Sequence, residues 1–177
     1  MKNKFRISWN EQELARAMRV KVEDVREYFM DGRRVSFIIE RRLKWDHPGW
    51  QLAPSEGAGY DLLDPTGGMW EVRSITGGGV YFNPSNQVGS GRKFNEEGFQ
   101  AKLGGVKGFI LTDIMQFPDM DVYVVPVQNV LRWHAAGQLG ANAKVSRARF
   151  LKNLVPDIQY PDLDSKIAAD SMGVDRT

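Results

Sequence analysis

The chain has 177 residues, 42% of them hydrophobic and 26% charged, with a net charge of +2 and no cysteine. This composition excludes global disorder, disulfides and thiolate metal sites, and it fits one domain or one domain with a small appendage. Charge is unevenly placed: residues 1–50 carry 12 Lys+Arg against 8 Asp+Glu, and residues 51–177 carry 12 against 14. A basic N-terminal third suits a polyanion, although a solvated helical surface accounts for the same numbers. The start, MKNKFRISWNEQE, lacks the apolar stretch of a secretory signal, and runs such as VYVVPV at 122–127 are far shorter than a membrane span. A cytoplasmic location and no membrane partner are the expectation.

The N-terminal segment, residues 1–33, reads as helical. Asn10 is placed as an N-cap with Glu13 three residues on, Trp9 and Leu14 sit where a hydrophobic staple closes, and apolar residues recur at Leu14, Met18, Val22, Val25 and Phe29. The pattern suits either a helix-turn-helix, with VEDVREYF as its second helix, or a helical pair forming a dimer surface. Arg19 stands where a helix-turn-helix prefers glycine, and Glu23, Asp24 and Glu27 are poor partners for phosphates. A second helix is predicted from Ser36 through Leu43, and DHPGWQLAPSEGAG (46–59) reads as a connecting loop. Strands are expected near 60–64, 69–76 and 79–83 as an antiparallel meander, then a helix at 94–104, strands at 108–114 and 121–127, and helices near 128–136 and 144–153. The outcome is an α/β core over 34–156: a mixed five-stranded sheet, meander plus helical crossover, flanked by helices. Residues 157–177, with five aspartates, read as an acidic tail.

Acids and bases interrupt the apolar pattern of YDLLDPTGGMWEVRSIT, residues 60–76. Glu71 and Arg73 share one face of a strand, about 7 Å apart, while Trp70 and Val72 point to the other. Asp61 lies on the partner strand of the hairpin, with Asp64 beside the turn. Depending on register, Asp61 and Glu71 converge at one end of the sheet. Two oxygen ligands with several retained waters is the arrangement Mg²⁺ favours. An ion held there activates water at a phosphodiester, and a neighbouring cation such as Arg73 stabilises the developing charge. A plain cross-strand ion pair accounts for the same residues without chemistry.

The arrangement resembles the PD-(D/E)XK nuclease superfamily, and particularly small type II restriction endonucleases. The resemblance is carried by the helix FIIERRL, by Asp61 in GYDLLD, by Glu71-x-Arg73 in WEVRS, by the following helix with Gln100 and Lys102, and by GFILTDI and DVYVVPV; it covers about residues 34–135. It implies a restriction-endonuclease-like core and a Mg²⁺-dependent endonuclease, with Mn²⁺ as a substitute ion, acting on double-stranded DNA as a homodimer. Asp61, Glu71 and the backbone carbonyl of Val72 would hold the ion, Arg73 would take the place of the family's lysine, and Glu40 would match an accessory acid. Tyr60 stands where the family has proline. Arginine cannot act as a general base. The attacking water's proton then goes to the ion's water network, to substrate phosphate or to another lysine (Lys102 or Lys93), or catalysis has been lost. A DNA-binding module without activity and a Holliday-junction or repair nuclease are therefore the alternatives.

Arg92 and Lys93, in VGSGRKF ahead of a helix, are placed to bind a phosphate; Lys102, Arg33 and Arg34 are further candidates for DNA contact. His47 and His134 are too few and too far apart for a zinc site. The five tryptophans offer faces for base stacking, but most are expected in the core.

Overall fold

In the computed structural model, which describes residues 3–55, 58–84 and 93–160, the first element is a strand, β1 (Lys4–Ser8), followed by α1 (Glu11–Met18), α2 (Val22–Met30) and α3 (Gly32–Asp46). Asn10 caps α1 by accepting the N–H of Glu13 at 3.1 Å. The chain then turns through Arg19, which adopts a left-handed conformation (φ 56°) with its N–H returned to Ala15 and Arg16. A glycine reaches that conformation at lower cost, yet the turn forms with arginine in place. Val25, Phe29, Val35, Ile39 and Leu43 are buried, at the helical spacing that turns one face of α2 and α3 to the sheet.

The remaining strands are β2 (Gln51–Leu52), β3 (Leu62–Leu63), β4 (Met69–Ile75), β5 (Val80–Tyr81), β6 (Gly108–Asp113), β7 (Asp119–Pro126) and β8 (Lys144–Val145), with α4 (Glu96–Gly104) between β5 and β6, and α5 (Val127–Ala135) and the short α6 (Arg147–Arg149) after β7. Six strands form one mixed sheet in the order β1-β7-β6-β4-β3-β2. β2, β3 and β4 are an antiparallel meander, α4 crosses over, and β6 returns parallel to β4, with Val72 opposite Ile110. β7 and β1 extend the sheet antiparallel.

Side-chain alternation divides the core in two. Trp70, Val72, Ile110 and Val122 pack under α1–α3. Ile75, Phe109, Leu111 and Val125 pack under α4, α5 and the C-terminal turns. Gly108 is required where Trp70 crosses the neighbouring strand: a Cβ there would lie 2.8 Å from the indole and 2.4 Å from the carbonyl of Val125.

The α/β class and mixed sheet follow expectation; several elements do not. The main sheet has six strands rather than five. The expected third meander strand at 79–83 leaves this sheet and pairs β5 with β8 in a separate two-stranded ribbon. The meander is completed instead by β2, inside the stretch read as a loop. β1 joins the N-terminal segment to the sheet through its alternation, exposed-inward, with only Ile7 fully buried. The helix expected at 144–153 breaks into β8, α6 and a single π-type turn, Phe150–Leu154. Residues 161–177, most of the predicted acidic tail, lie outside the described residues; Asp157 is described and accepts from Arg132 and Trp133.

Asp64 has a structural role. Its carboxylate accepts from the indole N–H of Trp70 and from Lys107 Nζ, both at 2.9 Å, and from Thr66 and the N–H of Gly68, closing the PTGG turn. Burial works against the charge, but these donors outweigh it and hold the carboxyl well below the usual range. Its stabilisation is therefore present at neutral pH and is lost as pH falls below about 4. Asp64→Ala is expected to destabilise the fold by about 2–4 kcal/mol in urea unfolding at pH 7, because a buried indole N–H and a cation lose their acceptor; a change under about 0.5 kcal/mol would contradict this role.

Candidate active site

β4 outruns its partner. β3 pairs only with Met69 and Trp70, so among the described residues no strand lies beside that edge of β4 from Glu71 onward. The pairing also slips at Asp61: its N–H donates to the carbonyl of Trp70 at 2.9 Å, although Trp70 is already opposite Leu62. Such a slip re-aims the side chain. The Asp61 carboxylate turns onto the open edge and accepts the N–H of Val72 at 2.7 Å. In an extended strand the N–H and C=O of one residue leave on the same side, so the carbonyl of Val72 also points toward Asp61.

A cleft of about 520 Å³ lies along this edge, between α3 and the segments 52–55 and 60–61. Glu40 and Arg41 of α3, Tyr60, Asp61, Val72 and Arg73 line it. Glu71 sits immediately behind, 3% exposed, with its two carboxylate oxygens paired to Arg73 and to Lys102. Lys102 enters from α4, which packs on the same face of the sheet as Glu71, and also donates to the carbonyl of Gly59 at 2.7 Å.

The acids influence one another. Burial lifts the Glu40 carboxyl to about 7, and the negative charges of Asp61 and Glu71 add to the rise. Burial also raises Glu71, against the pull of Arg73 and Lys102 and with a further push from Asp61. Glu40, Asp61 and Glu71 therefore belong to one electrostatic unit although they come from a helix, a bulged strand end and a central strand.

Among the described residues, no three acidic, histidine or cysteine side chains form a ready-made metal cage. The donor set that is present, two carboxylates and a main-chain carbonyl with Glu40 nearby, is all hard oxygen. That chemistry suits Mg²⁺, which keeps several waters and takes only one or two protein carboxylates. The residues fit such an ion, provided that Glu71 exchanges one of its cations for it.

Of the candidates for DNA contact, Arg33 and Arg34 begin α3, with side chains 95% and 56% exposed and both paired to Asp31. Lys93 is exposed ahead of α4. Arg92 lies outside the described residues. Lys102, by contrast, is buried against Glu71 with 12% of its side chain exposed. Its contact with Glu71 spans 31 positions and has no local signature, although the crossover helix that delivers it was predictable. His134 meets Glu96 at 2.9 Å on the surface, away from the cleft.

Comparison of the chain with protein-family models, curated proteins and solved structures gives no match.

A carboxyl raised in the fold binds its proton more tightly folded than unfolded, so stability falls as pH rises from about 4.5 through about 7. Glu40→Gln, which keeps the shape without the charge, is expected to flatten that fall: its melting temperature should match wild type near pH 5 and exceed it at pH 8. Parallel melting curves for the two proteins across this range would remove Glu40 from the site.

Proposed function

We propose that the protein is a divalent-metal-dependent endonuclease that hydrolyses phosphodiester bonds of double-stranded DNA, of the type II restriction kind. The observation that carries the reading is the meeting of Asp61, Glu71 and Glu40 with Arg73 and Lys102 at a cleft on the open edge of β4. The helix–meander–helix–strand order of α3, β2–β4, α4 and β6 supports it, since the resemblance of FIIERRL, GYDLLD and WEVRS requires that sequence of elements.

Asp61, Glu71 and the Val72 carbonyl would hold the ion. When bound, the ion polarises the scissile phosphate and makes a water more acidic. The Arg73 guanidinium neutralises the negative charge that grows on the phosphoryl oxygens. It cannot take a proton. Glu40 can: it lines the cleft, and burial raises its carboxyl above the usual carboxylate range, which suits a general base. The attacking water passes its proton to the Glu40 carboxylate while its oxygen bonds to phosphorus; the opposite phosphorus–oxygen bond breaks, and the leaving oxygen keeps the bonding electron pair and takes a proton from solvent. Lys102 supplies the second positive charge and fixes the Glu71 carboxylate from behind. Cutting both strands with one cleft per chain calls for a two-fold homodimer.

One observation favours a second reading, DNA binding without cleavage: both oxygens of Glu71 are already occupied by protein cations. Plasmid DNA incubated with wild-type protein separates the two. Cleavage in Mg²⁺ that EDTA abolishes, and that falls about 10²- to 10⁴-fold in Glu71→Ala and in Lys102→Ala, supports the enzyme. A gel shift with intact DNA in both Mg²⁺ and Mn²⁺ supports the second reading. Equal cutting by wild type and Glu71→Ala would refute the site.

A further inference from the structure

α3 has one face turned away from the core, of which Phe37 and Arg41 border the cleft. Arg33, Arg34, Phe37, Arg41, Lys44 and Trp45 fall within one third of the helix circumference and all are exposed. Four are cations, of which Arg33 and Arg34 are paired to Asp31 at the helix start. Phe37 and Trp45 remain 57% and 84% in solvent, whereas Trp50, Trp70 and Trp133 are buried. The Arg41 guanidinium lies 3.2 Å over the Phe37 ring, and both residues line the cleft. The face therefore begins at the cleft's lip and runs about 12 Å along the helix to Trp45, at ~1.5 Å per residue.

We infer that this face of α3 seats an unpaired stretch of the nucleic acid strand beside the cleft, with bases stacked on Phe37 and Trp45 and phosphates on the surrounding arginines and lysine. The inference rests on the nuclease reading and adds to it a preference for duplex DNA that carries an unpaired segment next to the cut. Cations alone hold a duplex backbone, but an exposed indole gains nothing from phosphates; a flat apolar ring among positive charges matches a strand whose bases are turned out. The spacing of the two rings equals about three to four stacked nucleotides at ~3.4 Å each. A second copy of the chain is a poorer occupant, because a two-fold contact through this face would set the same four cations against each other.

The test uses the full chain, in EDTA to prevent cutting, with fluorescent forked and blunt DNA of equal length, anisotropy read at several salt concentrations. Wild type is expected to bind the fork at least about tenfold more tightly. Trp45→Ala should weaken fork binding by about five- to a hundredfold and bring the fork-to-blunt ratio near one. Lys44→Ala should weaken both and reduce the salt slope by about one. Trp45 is exposed, so an unchanged melting temperature will show that its variant folds. Equal affinity of wild type for fork and blunt DNA overturns the inference; if Mg²⁺-dependent plasmid cutting persists, the nuclease reading survives that failure. No binding to either DNA overturns the inference, and with no Mg²⁺-dependent plasmid cutting beside it overturns both. A shift in wild-type mass toward dimer that Trp45→Ala abolishes in DNA-free light scattering, or binding to anionic vesicles that Trp45→Ala abolishes, assigns the face to another occupant and overturns it too.

Discussion

The cleft exists because a carboxylate, rather than a strand, closes the edge of β4. An uncovered strand edge presents amides that must find acceptors, and most proteins satisfy them by pairing, bulging or covering the edge. Here the pairing stops after Trp70, and the slip at Asp61 sends a side chain where the backbone would have gone. The same hydrogen bond settles three things: β4 is not extended by a neighbour, Asp61 is fixed beside Glu71, and the carbonyl of Val72 is turned to the same side.

The charges around this edge are balanced at some cost. Glu71 is almost wholly buried and has two cations on it, one from its own strand and one from α4, which packs on the same face of the sheet. Among the described residues Glu40 forms no ion pair, and burial holds its proton to about pH 7 against the pull of Arg41 and Arg73. Acids brought together without enough compensating charge lower stability at neutral pH, and such strain gathers at sites that bind something positive. Asp64, a few residues away, shows the opposite case. It is surrounded by donors and belongs to the turn, so two aspartates three positions apart have unrelated roles.

Much of the architecture was legible in the sequence because it is local. The N-cap at Asn10, the helical spacing of Val35, Ile39 and Leu43, the PTGG turn and the apolar runs of β6 and β7 each declare themselves within a few residues. So does the shared face of Glu71 and Arg73, which follows from strand geometry alone. The misread elements are those that depend on a distant partner. β2 is two residues long inside a Gly/Pro-rich stretch, and it is a strand only because β3 lies beside it. β5 looked like a third meander strand, but β8 pairs with it 64 positions away, across the rest of the sheet-forming chain. The KFRIS of β1 is too polar to announce a strand, and β7 makes it one.

For the site, the sequence by itself determined which residue types were present: two carboxylates, an arginine where a proton acceptor was wanted, and a helix bearing Glu40 ahead of them. These depend on residue identity and on strand periodicity, which are properties of neighbours along the chain. Only the tertiary structure decided that Asp61 bends onto the edge of β4, that Lys102 of α4 meets Glu71 on the face of the sheet they share, that Glu40 is buried enough to keep its proton, and that Trp45, alone beside four buried or half-buried tryptophans, stands in solvent. Each of these is a matter of burial or of contact between elements far apart in sequence, and no local pattern encodes the dielectric around a side chain or the partner that meets it.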